Sequence, residues 1–128
     1  MRAFDHIGIV SMQPREGESW VPFSGVWVTN PRVHPQRIEY IRPKEIPHVD
    51  PRNVGLWKLW HLPHVAYRVD SLQMAMTGEE IILGPFEPGD FGPVVFVHKD
   101  GAVVEYLEYR DLNVWFGQRT PWRPAGPP

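Results

Sequence analysis

Apolar and polar residues alternate over several short stretches of this chain, which is the pattern of half-buried β-strands. The pattern predicts strands over residues 3–10, 24–29, 36–41, 63–69, 81–83, 94–98 and 102–109. The Asp100-Gly101 pair joins the last two strands as a hairpin, because glycine adopts the positive φ that a tight turn needs. Asp70 or Ser71 is placed to cap a short helix over 72–77, which Gly78 ends.

The stretches between these strands are rich in residues that form turns. The chain has 15 prolines and 11 glycines, but also six tryptophans and six phenylalanines. We therefore interpret it as short strands joined by rigid turns rather than as a disordered chain. Residues 11–20 are polar and contain both turn formers, which argues against a helix. Residues 44–62 are predicted to form a loop or irregular connection, in which Trp57 and Trp60 share one helical turn as a packed flap or a substrate-contacting lid.

A length of 128 residues with 42% hydrophobic content is sufficient for one domain with a real core. We divide the chain into a first module of about 1–43, a connection of 44–62, a second module of about 63–110 and an extended tail of 111–128. In the tail, Trp115 and Phe116 are candidates for docking on the body of the protein.

The charge balance and the absence of cysteine exclude several classes of function. A net charge of −2 and a pI near 6.3 argue against nucleic acid or an acidic membrane as partner. No apolar run is long enough to span a bilayer, and no signal peptide is evident. Without cysteine the chain has no disulfide, thiolate metal ligand or cysteine nucleophile. We expect a cytoplasmic protein.

Histidine and glutamate recur at matching places in the two halves of the chain. His6 lies on the first predicted strand and Glu39 on the strand 36–41, and His64 and Glu105 repeat this relation in the second half. In each strand the alternate residues, which point to the other face of the sheet, are mostly apolar. If those apolar faces pack on a core, two imidazoles and two carboxylates point to the other side of the sheet, where they suit a divalent metal ion. Taken singly, each is more typical of a structural histidine or a solvated glutamate, so the prediction depends on the repeat.

Several segments resemble the vicinal oxygen chelate superfamily, which includes glyoxalase I, methylmalonyl-CoA epimerase, bleomycin- and fosfomycin-resistance proteins and extradiol dioxygenases. The segments are FDHIGIV, LPHVAYRVDSL, GPF-x-PGDFGPVVFVHKDG and VVEYLE. The resemblance implies an α+β fold in which two paired βαβββ modules form an open, barrel-like cleft. The first half matches only at its two ends, which implies that the first module is truncated or lacks its helix.

The same resemblance implies a function for the four polar residues. His6, Glu39, His64 and Glu105 would hold one divalent ion, which can be zinc, nickel, cobalt, manganese or iron. Such an ion chelates adjacent oxygens of a small substrate and stabilises an enolate while Glu105 or Glu39 takes the proton. The expected activity is that of a metal-dependent isomerase or lyase, similar to the epimerase and glyoxalase branches.

Two alternatives remain open from the residues alone. An iron-dependent extradiol dioxygenase would use His6, His64 and Glu105 as its two histidines and one carboxylate. A metal-free binding protein of the drug-resistance kind would instead sequester its ligand in an aromatic cleft, for which the candidates are Trp20, Trp27, Trp57 and Trp60. His34, His48 and His61 are predicted to be surface or loop residues. A homodimer is expected, because a truncated first module leaves apolar sheet surface to cover.

Overall fold

A computed structural model describes residues 2–123 and contains one eight-stranded mixed sheet. Its strands are β1 (Arg2–Val10), β2 (Ser19–Val21), β3 (Val26–Val28), β4 (Ile38–Pro43), β5 (His64–Val69), β6 (Glu80–Phe86), β7 (Val94–Lys99) and β8 (Ala102–Leu107). The spatial order is β2-β3-β4-β1-β5-β8-β7-β6. The sheet curls into a half-barrel, the α+β architecture that the sequence resemblance predicts.

The other regular elements are short. They are α1 (Val54–His61), α2 (Leu72–Met76), a 3-10 turn (Pro31–Val33) and a separate ribbon of β9 (Val114–Trp115) with β10 (Gln118–Arg119). Within residues 2–123 no helix has the length and apolar character needed to cross a membrane.

Read outward from the centre of the sheet, the strands of the two halves follow in the same order. The first half contains β1–β4 and the second half β5–β8, and the antiparallel pair of β1 with β5 joins them. Within each half the first and last strands run parallel, as β1 with β4 and β5 with β8. The four central strands are therefore β4, β1, β5 and β8, which are the strands that carry the repeated histidines and glutamates.

A helix covers the back of the second half only. Leu72 of α2 packs on the buried side chains of Val95, Val97 and Val104. The side chain of Ser71 caps this helix by accepting a hydrogen bond from a backbone N–H, which resolves the choice between Asp70 and Ser71. The side of the sheet opposite to α2 carries the four repeated residues, and we call it the cleft face.

The first half has a loop where a helix would stand, as expected for a truncated module. Residues 11–18 connect β1 to β2 without a helix. In this loop the guanidinium of Arg15 lies 3.7 Å from the ring centre of Tyr40, which belongs to the back face of β4. Cation–π contacts therefore stand on the back of the first half where α2 stands on the second, because Arg42 of β4 also lies 4.1 Å from the ring centre of Trp27 on β3.

Several elements differ from the sequence prediction, most clearly β2, β3 and α1. The predicted strand 24–29 is the shorter β3, and its partner β2 was not predicted, because a three-residue strand is too short to show alternation. The prediction of an irregular connection over 44–62 is wrong for residues 54–61, which form the two turns of α1. Gly55 brings this helix close to the side chains of Ile82 and His98 on the cleft face of the second half.

The tail returns to the body of the protein and docks there. Trp115 is only 2% exposed, and its ring stacks on Phe91 with 4.5 Å between centroids. Two arginines of the first half donate to tail carbonyls, Arg32 Nη1 to Thr120 O at 2.9 Å and Arg37 Nε to Arg123 O at 3.0 Å. The predicted docking of Trp115 is confirmed.

Candidate metal centre

The four repeated residues meet at one point on the cleft face. His6, Glu39, His64 and Glu105 are all buried, and one ligand atom from each lies within 4.8 Å of those from the other three. They come from four neighbouring strands, so the sheet itself fixes their spacing. The alternation of side chains along each strand was sufficient to predict that these four residues share a face.

The strand register gives both halves the same local arrangement. Glu39 lies opposite Gly8 in the β1–β4 pair, and Glu105 lies opposite Ala66 in the β5–β8 pair. Each glutamate is therefore paired with the second residue after the histidine of its half. The β1–β5 pair sets Gly8 against His64, and a Cβ on Gly8 would lie 2.1 Å from Cε1 of that imidazole. Only glycine leaves room for His64 at this position.

The distances between donor atoms suit a single ion. His6 Nε2 lies 3.3 Å from Glu105 Oε1 and 3.5 Å from Glu39 Oε1, while His64 Nε2 lies 3.0 Å from Glu105 Oε1. Ligands that are each about 2.1 Å from one ion lie roughly 3.0 to 3.5 Å apart in tetrahedral or octahedral geometry. These three distances fall within that range, and all four ligand atoms lie within 4.8 Å of one another.

Two buried nitrogens of the cluster have no hydrogen bond among the described residues, Nε2 of His6 and Nδ1 of His64. His6 is 0% exposed and its Nε2 lacks a hydrogen-bond partner among the described residues, although two carboxylates face it. Its Nδ1 is hydrogen-bonded to Asp5 Oδ2 at 2.7 Å, so the neutral imidazole donates there and carries its lone pair on Nε2. Buried polar atoms are rarely left without a partner, and a metal ion would satisfy Nε2 of His6. The cluster fits a metal ion by its donor types and by its spacing.

Sequence reasoning missed Asp5 and Tyr109. Alternation places Phe4 with His6 and Asp5 on the other face, but the ladder between β1 and β5 shifts between Phe4 and His6. This bulge leaves Phe4 41% exposed and buries Asp5 to 3%. The hydroxyl of Tyr109 donates to Asp5 Oδ2 at 2.9 Å, so the two residues hold His6 from behind. Only the adjacency of Asp5 to His6 could have signalled this role.

Charges around the cluster shift three pKa values. Burial would raise the pKa of Glu105, but its interactions with the imidazoles of His6 and His64 outweigh burial and lower the pKa to about 2. Burial raises the pKa of Glu39. His6 offsets this rise only in part, and the negative charge of Glu105 adds to it. Burial disfavours the imidazolium of His6, yet Glu39 and Asp5 raise its pKa well above the ordinary value.

Tyr109 remains a hydrogen-bond donor under these conditions. Burial, and then the negative charge of Asp5, raise the pKa of its phenol well above the ordinary value. The protonated hydroxyl can therefore hold Asp5 over the whole neutral range. Asp5 in turn remains aligned with Nδ1 of His6, as the outer carboxylates of metal-bound histidines commonly are.

A cavity of about 70 Å³ opens beside the cluster and reaches Glu39, His64 and Glu105. Its walls come from both halves of the sheet, from α1 and from the tail. Trp60 and Leu59 of α1 and Trp115 of the tail all line it. Of the two α1 tryptophans, Trp60 therefore contacts the cavity, whereas Trp57 stacks on His61 at 4.3 Å.

The other sequence candidates lie outside the cavity walls. Trp20 and Trp27 pack against each other with tilted rings 4.6 Å apart and neither lines the cavity, so the prediction that they line the cleft is wrong, as it is for Trp57. His48 and His61 are exposed. His34 is half-buried in the turn before β4, where its Nδ1 is hydrogen-bonded to a backbone N–H.

Comparisons with known proteins support the fold. No protein-family model and no curated protein sequence matches this chain. Two solved structures share its architecture at low identity. A hypothetical protein from Bacillus halodurans C-125 is 20% identical, with a TM-score of 0.59 over 86% of this chain and 96% of the other. Methylmalonyl-CoA epimerase from Mycobacterium tuberculosis is 16% identical, with a TM-score of 0.58 over 84% of this chain and 88% of the other.

These likenesses show that the chain shares the fold of the two structures. One of the two neighbours is an epimerase by name. At these identities the comparison carries the architecture, and any activity must be argued from the residues of this chain.

Proposed function

We propose that this protein is a divalent-metal-dependent isomerase or lyase that moves a proton beside a carbonyl of a small oxygen-rich substrate. The observation that carries the proposal is the convergence of two imidazoles and two carboxylates at metal-ligand spacing on the floor of a cavity. His6, His64, Glu105 and Glu39 would hold the ion. When bound, it supplies Lewis-acid chemistry that polarises substrate oxygens and makes a neighbouring C–H more acidic.

The two glutamates are suited to different roles. Glu105 Oε1 lies between both imidazoles, and its lowered pKa keeps it a carboxylate. Glu39 contacts His6 alone at 3.5 Å and has a raised pKa. Pairs of acids whose surroundings separate their pKa values commonly divide into a fixed anion and a proton carrier. We assign Glu105 to the first role and Glu39 to the second, in which it accepts and returns the substrate proton.

The walls of the site would exclude water from the proton transfer. Trp60, Trp115 and the valines of β3 surround the cavity, so apolar side chains limit the access of water to Glu39 during the transfer. His6 is held in one tautomer by Asp5 and Tyr109, which keeps Nε2 directed at the two carboxylates. These contacts orient the donors without contributing to the proton transfer.

Metal uptake is the direct test. Protein stripped with a chelator is titrated with Zn²⁺, Co²⁺, Ni²⁺ and Mn²⁺ by calorimetry, with His64→Ala and His48→Ala as a matched pair. We expect one site per chain, lost in His64→Ala and kept in His48→Ala, because His48 lies exposed outside the cluster. No uptake of any ion, or equal uptake by both variants, would contradict the proposal.

A metal-free binding protein is the second candidate, and the apolar walls of the cavity are the observation that favours it. In that case the four polar residues would be a satisfied buried network. Loading with the preferred ion then has no effect on ligand affinity. Solvent-to-substrate deuterium exchange separates the two functions, since only a proton-moving enzyme incorporates deuterium beside the carbonyl.

A further inference from the structure

The cavity beside the candidate metal centre has walls made almost entirely of hydrocarbon. Of its lining residues only Ser24, Glu39, His64 and Glu105 carry polar side chains, and three of these belong to the cluster. Neither lysine nor arginine is among the lining residues. A bound anion would find no cation on these walls, and burial of an unpaired charge costs several kcal/mol.

A row of aromatic rings leads from solvent to the cluster, and we call it the aromatic row. Phe23, in the turn between β2 and β3, is 60% exposed and stacks on Phe86 at 4.3 Å with an interplanar angle of 16°. Phe86 is nearly parallel to Phe96 at 6.4 Å, and Phe96 meets the imidazole of His64 edge-on at 5.1 Å.

The opposite wall supplies one neutral donor. Trp115 lines the cavity, and its indole Nε1 is buried without a hydrogen-bond partner among residues 2–123. Buried tryptophan N–H groups usually find an acceptor. A ligand oxygen is the kind of group that would complete this wall.

We infer that the substrate is a small uncharged compound with a flat hydrocarbon body and two adjacent oxygens. The hydrocarbon part follows from the walls and the aromatic row, and the paired oxygens rest on the function proposed above. Compounds that carry phosphates or carboxylates away from the metal-binding oxygens are disfavoured, because neither lysine nor arginine lies on the walls around the candidate metal centre. Methylmalonyl-CoA, the compound in the name of one structural neighbour, is of that charged kind.

Three chelating probes test the charge and shape preference on protein loaded with Zn²⁺. Acetohydroxamic, benzohydroxamic and 4-carboxybenzohydroxamic acids share the same pair of oxygens and differ in the body. Calorimetry should give benzohydroxamate an affinity about tenfold or more above acetohydroxamate, since a buried ring removes apolar area from water. The carboxylated probe should bind about tenfold or more weaker than benzohydroxamate. Equal affinities for the three probes, or a preference for the charged one, would overturn the inference.

Toluene tests the apolar walls without any metal. Titrated into metal-free protein, it should shift the indole resonances of Trp60 and Trp115 in ¹H–¹⁵N spectra and leave that of Trp20 unchanged. Toluene binding by a protein that takes up no metal would sink the proposed function and leave the apolar site standing. Metal uptake without toluene binding, and without preference for benzohydroxamate, would sink this inference alone.

A charge placed on the aromatic row should change the selectivity. Phe23→Arg puts a cation at the outer end of the row on an exposed side chain, so the variant is expected to fold. It should raise the affinity for 4-carboxybenzohydroxamate relative to benzohydroxamate several-fold. Met74→Arg, on the exposed surface of α2, is the matched control and should leave the ratio unchanged. An unchanged ratio in Phe23→Arg would show that the row does not line the route to the site.

Discussion

The two halves of the sheet place the same pair of residues at the same register but surround them differently. In the first half Asp5 and Tyr109 hold the histidine from behind, whereas Nδ1 of His64 has no partner among the described residues. In the second half the glutamate lies between both imidazoles, whereas Glu39 contacts only one. The halves therefore repeat a scaffold and divide its chemistry, with the best-supported imidazole in one and the best-fixed carboxylate in the other.

The two halves also differ in what covers their back faces, on the side of the sheet opposite to the site. The second half has α2, a capped helix with a buried leucine on an apolar layer. The first half has a loop and the contact of Arg15 with Tyr40. Because the site lies on the opposite face, a weakly covered back does not disturb the positions of the ligands. The register of β1 with its neighbours is what positions them.

The largest expected effect comes from removing the shared carboxylate. Glu105→Gln leaves both imidazoles without their common anion, so we expect metal affinity to fall more than about 100-fold, beyond the usual effect of outer-shell changes. Glu39→Gln removes a ligand that contacts His6 alone and should cost less. Calorimetric titration of both variants checks the order. A larger loss in Glu39→Gln would invert the proposed division between the halves.

The next largest effect is expected at Gly8, where β1 leaves room for the imidazole of His64. Gly8→Ala forces a methyl group into His64, so we expect metal uptake to be lost as in His64→Ala while the sheet persists. Ala66 faces His6 in the same ladder, and Ala66→Gly adds no atom. That control should keep the metal and lose about 1 kcal/mol of unfolding free energy. Metal titration and chemical denaturation measure both, and full uptake by Gly8→Ala would contradict this view of the register.

A smaller effect comes from the support behind His6. Asp5→Asn keeps the size of the side chain but weakens the hydrogen bond to Nδ1, so metal affinity should fall about 10- to 100-fold. Tyr109→Phe removes only the outer contact and should cost less. Comparison of the metal-ligand distances by X-ray absorption separates loss of orientation from loss of fold. Unchanged affinity in Asp5→Asn would make the first histidine no better supported than the second.

Metal affinity should also depend on pH through His6. Its raised pKa means that, without a metal, His6 keeps its second proton to a higher pH than an ordinary histidine, and binding of an ion must release that proton. Apparent affinity should therefore rise with pH, by up to about tenfold per unit below the pKa of His6. Calorimetry in buffers of different ionisation enthalpy measures the released proton. Asp5→Asn removes one cause of the raised pKa and should reduce the proton release, and an affinity independent of pH would contradict this prediction.

The smallest effect is expected from Arg15, on the back face of the first half. Arg15→Ala should lower the free energy of unfolding by about 0.5–1 kcal/mol, the size of an exposed cation–π contact. Leu72→Ala in the second half should cost about 2–5 kcal/mol, because it leaves a cavity under α2. Urea denaturation gives both values. Similar losses would mean that the loop over residues 11–18 covers its half as well as the helix does.

The sequence was informative wherever a regular strand alternates. His6, Glu39, His64 and Glu105 share a face because a strand has a period of two, and that period can be read from the residues alone. Asp5 was missed because one bulge changes the parity of β1, and alternation carries no sign of a bulge. The four candidate ligands could thus be predicted from the sequence, whereas Asp5, which supports His6, could not.

The helix α1 shows why local patterns failed in the connection. Its first residues are Val54 and Gly55, both poor helix formers, and no side chain caps its N-terminus. The helix is held by its contacts with the sheet, where Gly55 lies close to Ile82 and His98. Contacts between distant parts of a chain leave no local signature. Trp60 reaches the cavity by the same means, which the spacing of tryptophans could not indicate.

The docking of the tail has a consequence for which mutations the protein tolerates. Arg32 and Arg37 hold the segment through the main-chain carbonyls of Thr120 and Arg123, which every amino acid carries. Recognition of the backbone does not depend on side-chain identity, so the contact at Arg123 tolerates substitution. Thr120 is less free, because its hydroxyl also accepts a hydrogen bond from Asn30 Nδ2 at 3.2 Å, and Trp115 is held by its own ring. The tail thereby combines side-chain anchors with a backbone contact at Arg123, where a substitution or a label should disturb the docking least.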